Sequence, residues 1–187
     1  MSNLHDPSDK WIKTTVSLPT SHGWRCKPGN NLIIADRGAA AFEVPEGWVA
    51  KPDKDGLSIS DKTPPADEAR IMLTVFHLPP VQGGWRGLSL EQVLRKGGEE
   101  KDDARAVHRI ERPGLELVWV ERTDKPDPEN GRMIRTRQLT ARANLVQVLI
   151  TFDVYRDESA RFEPVWKDLL RSLRVGVPRT MTGEVGN

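Results

Sequence analysis

Few devices other than packing are available to hold this chain together. Its 187 residues include a single cysteine, Cys26, which excludes an intramolecular disulfide and fits a reducing compartment. No apolar run approaches the roughly 20 residues a bilayer requires. The opening stretch MSNLHDPSDKWIKTTV lacks the basic start and apolar segment of a secretory signal, so the expected location is the cytoplasm. An excess of one charge is missing as well. With 28 Lys and Arg against 27 Asp and Glu, the net charge of +1 gives no global field for nucleic acid or anionic lipid, and neither is expected as a partner. Phosphate-cradling GxGxxG and P-loop patterns are absent, as is the GxSxG nucleophile elbow.

What is present describes a globular protein. The hydrophobic fraction is 37%, there are six tryptophans, and a chain of this length is enough for one domain with a core able to offset chain entropy. Residues 1–30 are rich in Ser, Thr, Pro, Gly and charge, with Trp11 and Trp24 as large anchors, and read as an irregular arm. Residues 31–177 carry the periodic segments of a single domain, and 178–187 read as a flexible tail.

Two short apolar runs, NLIIA (31–35) and AAFEV (40–44), are separated by a hairpin-like break. Pro45 and Gly47 then stop the second run, because proline donates no ladder hydrogen bond and glycine accepts turn conformations. Trp48 and Val49 follow as large groups able to cover a core edge, and GLSIS (56–60) resumes the alternation. RIMLTVFHL (70–78) is apolar on both faces, which predicts a central strand covered on two sides. In GLSLEQVLRK, Ser89 is placed to cap a short helix, with Gln92 three residues on and Leu88 and Val93 in staple positions. Four strands follow: 104–111, 115–123, 132–141 and 144–154. Their short connectors allow only antiparallel neighbours, hence a meander. Finally Phe162, Val165, Trp166, Leu169, Leu170 and Leu173 recur at helical spacing, with Pro164 expected in the first turn and Arg171 and Arg174 near the C-terminal dipole.

The order strands, helix, four-strand meander, C-terminal helix, together with FEVPEGW (42–48) and FEPVWKDLLRSLRV (162–175), resembles the PsbP-like fold family. That family includes a photosystem extrinsic subunit, a Ran-binding nuclear-import factor and bacterial DcrB-like proteins. The resemblance implies an α+β fold, an antiparallel sheet meander flanked by helices in an α/β/α sandwich, and generally a binding or accessory role without catalysis. Here the chain departs from those members: it shows no acidic loop, no metal-ligand cluster and no exported-protein signal or lipobox. The resemblance therefore transfers a fold and no site.

Candidate contact residues lie in three places. Glu46 and Trp48 flank the Pro-Glu-Gly corner and could present a carboxylate beside an aromatic, although packing of Trp48 and solvation of Glu46 explain the pattern as well. Gly83, Gly84 and Trp85 form a glycine-rich loop, too short in context to cradle a phosphate. Arg132, Arg135, Arg137 and Arg142 make the densest basic stretch. Arg135 and Arg137 share one strand face, where pairing with Glu111, Glu116 or Glu121 is the favoured alternative to an open basic strip. His22 and Cys26 are zinc-ligand types at a spacing of four, but the set is incomplete, and neither His77 nor His108 on its strand completes it, so no metal or cofactor is expected. The resulting expectation is a cytoplasmic, non-enzymatic binding or accessory protein with a protein partner. A small-ligand or hydrolytic protein with a pocket between sheet and helix, and a homodimer joined at a strand edge, are its rivals.

Overall fold

The computed structural model describes residues 26–53, 56–81, 84–96, 106–122 and 124–176. The segments 1–25, which hold His22 and most of the predicted arm, and 177–187, which hold the predicted tail (178–187), lie outside the described residues, as does Gly83.

Every pairing between described strands is antiparallel, and the strands form two sheets. The apolar hairpin β1 (Asn30–Ala35) and β2 (Ala40–Pro45) belongs to a small sheet completed by β11 (Arg174–Val175) from the far end of the chain. The corner at Pro45-Glu46-Gly47 is a turn: Trp48 N–H donates to the Pro45 carbonyl at 3.4 Å, Glu46 N–H to the Gly29 carbonyl at 2.9 Å, and Gly47 takes a φ of 86°. Its work is to carry the chain from the small sheet to the large one.

The large sheet runs β3 (Val49–Asp53), β4 (Gly56–Ser60), β5 (Ala69–His77), β10 (Val146–Tyr155), β9 (Met133–Ala143), β7 (Leu115–Glu121) and β6 (His108–Arg112), with the two-residue β8 (Lys125–Pro126) paired to β9. The chain leaves β5, crosses one face through α1 (Leu90–Lys96), and returns as the expected meander to close on β5 again.

Strand alternation decides the layers. Leu57, Ile59, Ile71, Leu73, Leu117, Leu139, Ala141, Val148, Ile150 and Phe152 point to an inner face that is covered by α2 (Ser159–Ser172) and the small sheet. Val118 and Val120 point the other way and meet Leu90 and Leu94 of α1. Helices therefore lie on both faces. Trp166 of α2 is 2% exposed, stacks on Phe152 at 5.8 Å and meets Trp119 edge-on at 5.3 Å; burial of such rings is worth roughly 25 cal/mol per Å².

Three expectations are corrected. The single antiparallel sheet that the resemblance implies is two, the first hairpin forming a small sheet with β11. Val49 opens a strand rather than merely covering the core, because Lys51 and Pro52 find partners in Ser58 and Leu57 across a short loop. Pro164 lies inside α2 and not in its first turn, because the helix starts at Ser159, ahead of the apolar stripe. The missing N–H leaves the Ala160 carbonyl without its helical donor, at a position that solvent reaches.

Candidate interaction surface

One end of the molecule gathers features that the rest lacks. The turn joining β1 to β2 places Asp36, Arg37 and Gly38 at φ of 43°, 55° and 95°, and Asn144, in the β9–β10 turn, is the other described non-glycine residue with positive φ. Such conformations cost energy for residues with a Cβ and persist only where neighbours hold them. The holds are visible. The Asp36 carboxylate bonds the His77 imidazole at the end of β5. Gly176 N–H donates to the Ala39 carbonyl at 2.8 Å, and a side chain at 176 would press on the Ala143 carbonyl. Leu78 N–H donates to the Leu145 carbonyl at 2.8 Å. The two turns and the end of β5 are thereby tied into one surface.

Onto this surface runs the segment between β5 and α1. Arg142, a nearly buried cation on β9, donates to the Trp85 carbonyl at 2.5 Å, to the Leu88 carbonyl at 3.0 Å and, through Nε and Nη2, to Gln147 Oε1 at 3.1 and 2.9 Å. Burial pushes its guanidinium below the ordinary arginine value, and Glu116 across the strand pair works against that. Trp85 Nε1 closes the loop by donating to the Pro79 carbonyl at 2.6 Å. Of six large hydrophobic side chains left exposed among the described residues, Ile34, Phe76, Val81, Leu88 and Leu145 lie at this end, and only Met133 lies at the other.

The sequence-predicted residues fall as follows. Gly84, at a φ of 72°, and Trp85 belong to the Arg142-pinned loop at the apolar end. Glu46 is exposed at the corner, while Trp48 is half-buried with its ring edge-on to Phe162 at 6.1 Å. Arg137 is bound on two sides, to Glu121 at 3.0 Å and Glu163 at 2.8 Å, and lies near the rings of Trp119 and Trp166. Arg135 reaches Asp124 at 3.4 Å and Glu121 at 3.7 Å. The structure thus brings Gly84 and Trp85 to the apolar end and leaves Glu46, Trp48, Arg135 and Arg137 away from it. Sequence reasoning named Arg142 only as part of a basic stretch, not as a clamp, and missed Phe76 and Leu145.

Polar groups elsewhere are engaged in holding elements together. Glu43, buried on β2, accepts from Asn30 Nδ2 at 3.1 Å, Lys27 N–H at 3.3 Å and Arg171 Nη2 at 2.9 Å. Burial alone would raise its carboxyl, but these donors and the Arg171 charge hold it below the ordinary carboxylate range. Asp168 is likewise held low against burial by Lys27, Asn30 and Arg171. Cys26 donates its thiol to the Asn30 carbonyl at 3.1 Å; partial burial and the Glu43 carboxylate raise its pKa, the opposite of what a nucleophile needs. His108 stacks on Trp119 at 4.0 Å. Among the described residues no group of three or more His, Cys, Asp or Glu could hold a metal ion, and no helix is long and apolar enough to cross a membrane.

Comparison with known proteins agrees with this architecture. The profile of the family described as Alr1449 matches residues 31–178. The uncharacterized protein alr1449 of Nostoc sp. (strain PCC 7120) is 33% identical over 174 residues, covering 90% of this chain and 88% of its own length. Among solved structures, the cyanobacterial PsbP (CyanoP) of Synechocystis sp. PCC 6803 superposes with a TM-score of 0.53 at 9% identity, over 83% of this chain and 97% of that one. A protein of Bacteroides thetaiotaomicron VPI-5482 gives a TM-score of 0.57 at 11% identity over 79% of this chain, which spans about half (48%) of that longer one. At such identities the likeness is one of fold, and the fold is PsbP-like.

Proposed function

The chain belongs to the Alr1449 family, and from that premise we propose that it is a non-enzymatic binding or accessory protein of the cytoplasm, contacting a protein partner through the apolar end of its large sheet. The observation that carries this reading is the gathering of Phe76, Val81, Leu88 and Leu145 around a loop that Arg142, in the same cross-strand row as Phe76, fixes from beneath. Exposed apolar side chains scattered singly are ordinary, but several gathered about one pinned loop are typical of a contact surface. Preorganisation supports the same reading: a loop held by a buried guanidinium loses little further freedom on binding. Arg135 and Arg137, which share the basic strand face, are occupied by carboxylates of the same chain, which favours protein over nucleic acid.

Site-specific photo-crosslinking tests it. A crosslinker introduced at Phe76 or Leu145 is expected to give a discrete adduct with the same partner in host lysate, whereas one at Met133, exposed at the opposite end, is expected to give none. Equal labelling from all three positions, or from Met133 alone, would overturn the assignment.

A further inference from the structure

The large sheet ends in two unlike edges. β3 presents Lys51, Pro52 and Asp53 as exposed residues, and Pro52 has no N–H to offer an incoming strand. That edge is blunted against pairing. Among the described strands β6 is bonded only to β7; it contains neither proline nor glycine, and leaves His108, Arg109 and Glu111 exposed. It is also anchored at both ends: Arg112 donates to the carbonyls of Leu170, Arg171 and Leu173 at the end of α2, and His108 stacks on Trp119.

The charge pattern of β6 is self-complementary. Arg109 and Glu111 stand on either side of Ile110, so an antiparallel copy centred on Ile110 brings each arginine opposite a glutamate. Within one protomer this pattern is unsatisfied. Glu111 lies directly across from Glu116, like charges in a position where neighbours repel, and it forms no ion pair with any described residue. Glu116 already faces Arg142 on its other side. Arg109 has a single long contact among the described residues, to Glu91 at 3.6 Å.

We propose that two copies of this chain associate by antiparallel pairing of β6 with β6 about a two-fold axis at Ile110, continuing the sheet from one subunit into the other. The juxtaposition places Arg109 of each subunit beside Glu111 of the partner subunit and supplies the counter-charge that Glu116 denies. The contact is isologous and closes on itself, so it yields a dimer and not a filament. A five-residue strand pair is a small interface, so the dimer is weak, on the order of micromolar. This edge is lateral to the apolar end, so either proposal can fail without the other.

Charge reversal in the full chain, read by sedimentation equilibrium, is the test. Glu111→Arg sets arginine against arginine twice per dimer and breaks no ion pair within the described protomer; it is expected to weaken dimerisation about tenfold or more. Arg109→Glu is expected to do the same with glutamates. The double variant R109E/E111R restores both pairs and is expected to dimerise like the wild type, and an equimolar mixture of the two single variants is expected to form a heterodimer. Thermal melting of each variant separates loss of association from loss of fold. A wild-type chain that stays monomeric at its highest soluble concentration would overturn the proposal, as would a dimer indifferent to the single reversals.

Discussion

Two carboxyls, Glu43 buried on β2 and Asp153 half-buried on β10, respond to pH with opposite signs. Glu43 is surrounded by donors and an arginine, so its folded pKa lies below its unfolded value. Its contribution to stability is present above the unfolded carboxylate pKa of about 4.3 and is lost as pH falls through the folded value. Asp153, half-buried on β10 with Thr136 Oγ1 donating at 2.5 Å, is raised by desolvation, which outweighs that hydrogen bond and the Arg70 charge. Its neutral form suits the fold, so its contribution is full below the unfolded pKa and declines as pH rises through the folded one. Urea denaturation across pH 3 to 7 should therefore separate two isosteric variants. Glu43→Gln is expected to cost about 1–2 kcal/mol at neutrality, the value of a hydrogen bond to a charged group discounted for the exposure of Arg171, and to approach wild type in acid. Asp153→Asn is expected to be as stable as wild type or more so at neutrality, with any gain fading in acid. Parallel profiles for the two would refute the assignment of opposite environments.

Among the elements, those readable from sequence were the ones whose pattern repeats within a short window. The alternation of β5, β7, β9 and β10 and the 3.6-residue stripe of α2 are properties of contiguous residues, and each strand or helix formed near its expected place. β3 and β11 escaped because they are short and exist only through partners: Val175 pairs with Ala40, distant in the chain. The partition into two sheets escaped for the same reason. At the candidate surface, Gly84 and Trp85 were legible as loop chemistry, but Phe76 and Leu145 looked like core, since whether an apolar side chain is covered depends on elements elsewhere. Arg112 shows how remote pairing finishes an element. α2 ends at Ser172 without a glycine at its cap, and the Arg112 guanidinium from β6 takes its last carbonyls instead. Arg112→Met keeps the aliphatic stem and removes the donors, leaving carbonyls of the final turn without partners. It is expected to cost about 1–3 kcal/mol and to speed hydrogen exchange selectively in the last turn of α2. Unchanged exchange there would show that Leu173 packing alone ends the helix.

At the scale of the whole molecule, the question is whether two sheets mean two folding units. A single apolar cluster argues against it: Phe42 and Val44 of the small sheet, Phe162 and Leu169 of α2, and Leu139 and Ile150 of the large sheet share one contiguous core. The backbone is stitched in the same way. Where β11 stops, Ser172 Oγ takes the Glu43 N–H of β2 at 2.9 Å, so the end of α2 extends the small sheet's edge while its Trp166 stacks on the large one. Neither sheet can leave without exposing the helix that the other needs. Phe42→Ala, at a fully buried site of the small sheet, is expected to cost about 3–5 kcal/mol, a large share of the roughly 5–15 kcal/mol that a domain has. It should nevertheless lower the midpoint of one transition, with the tryptophan signal in near-ultraviolet circular dichroism and the backbone signal in the far ultraviolet moving together. If the small sheet were an accessory layer, the backbone signal would fall first in Phe42→Ala while the stack of Trp166 on Phe152 survived, and the two curves would separate. Coincidence is the expected result because the ring of Phe42 and the indole of Trp166 belong to the same core, and a cavity beneath the one removes support from the other.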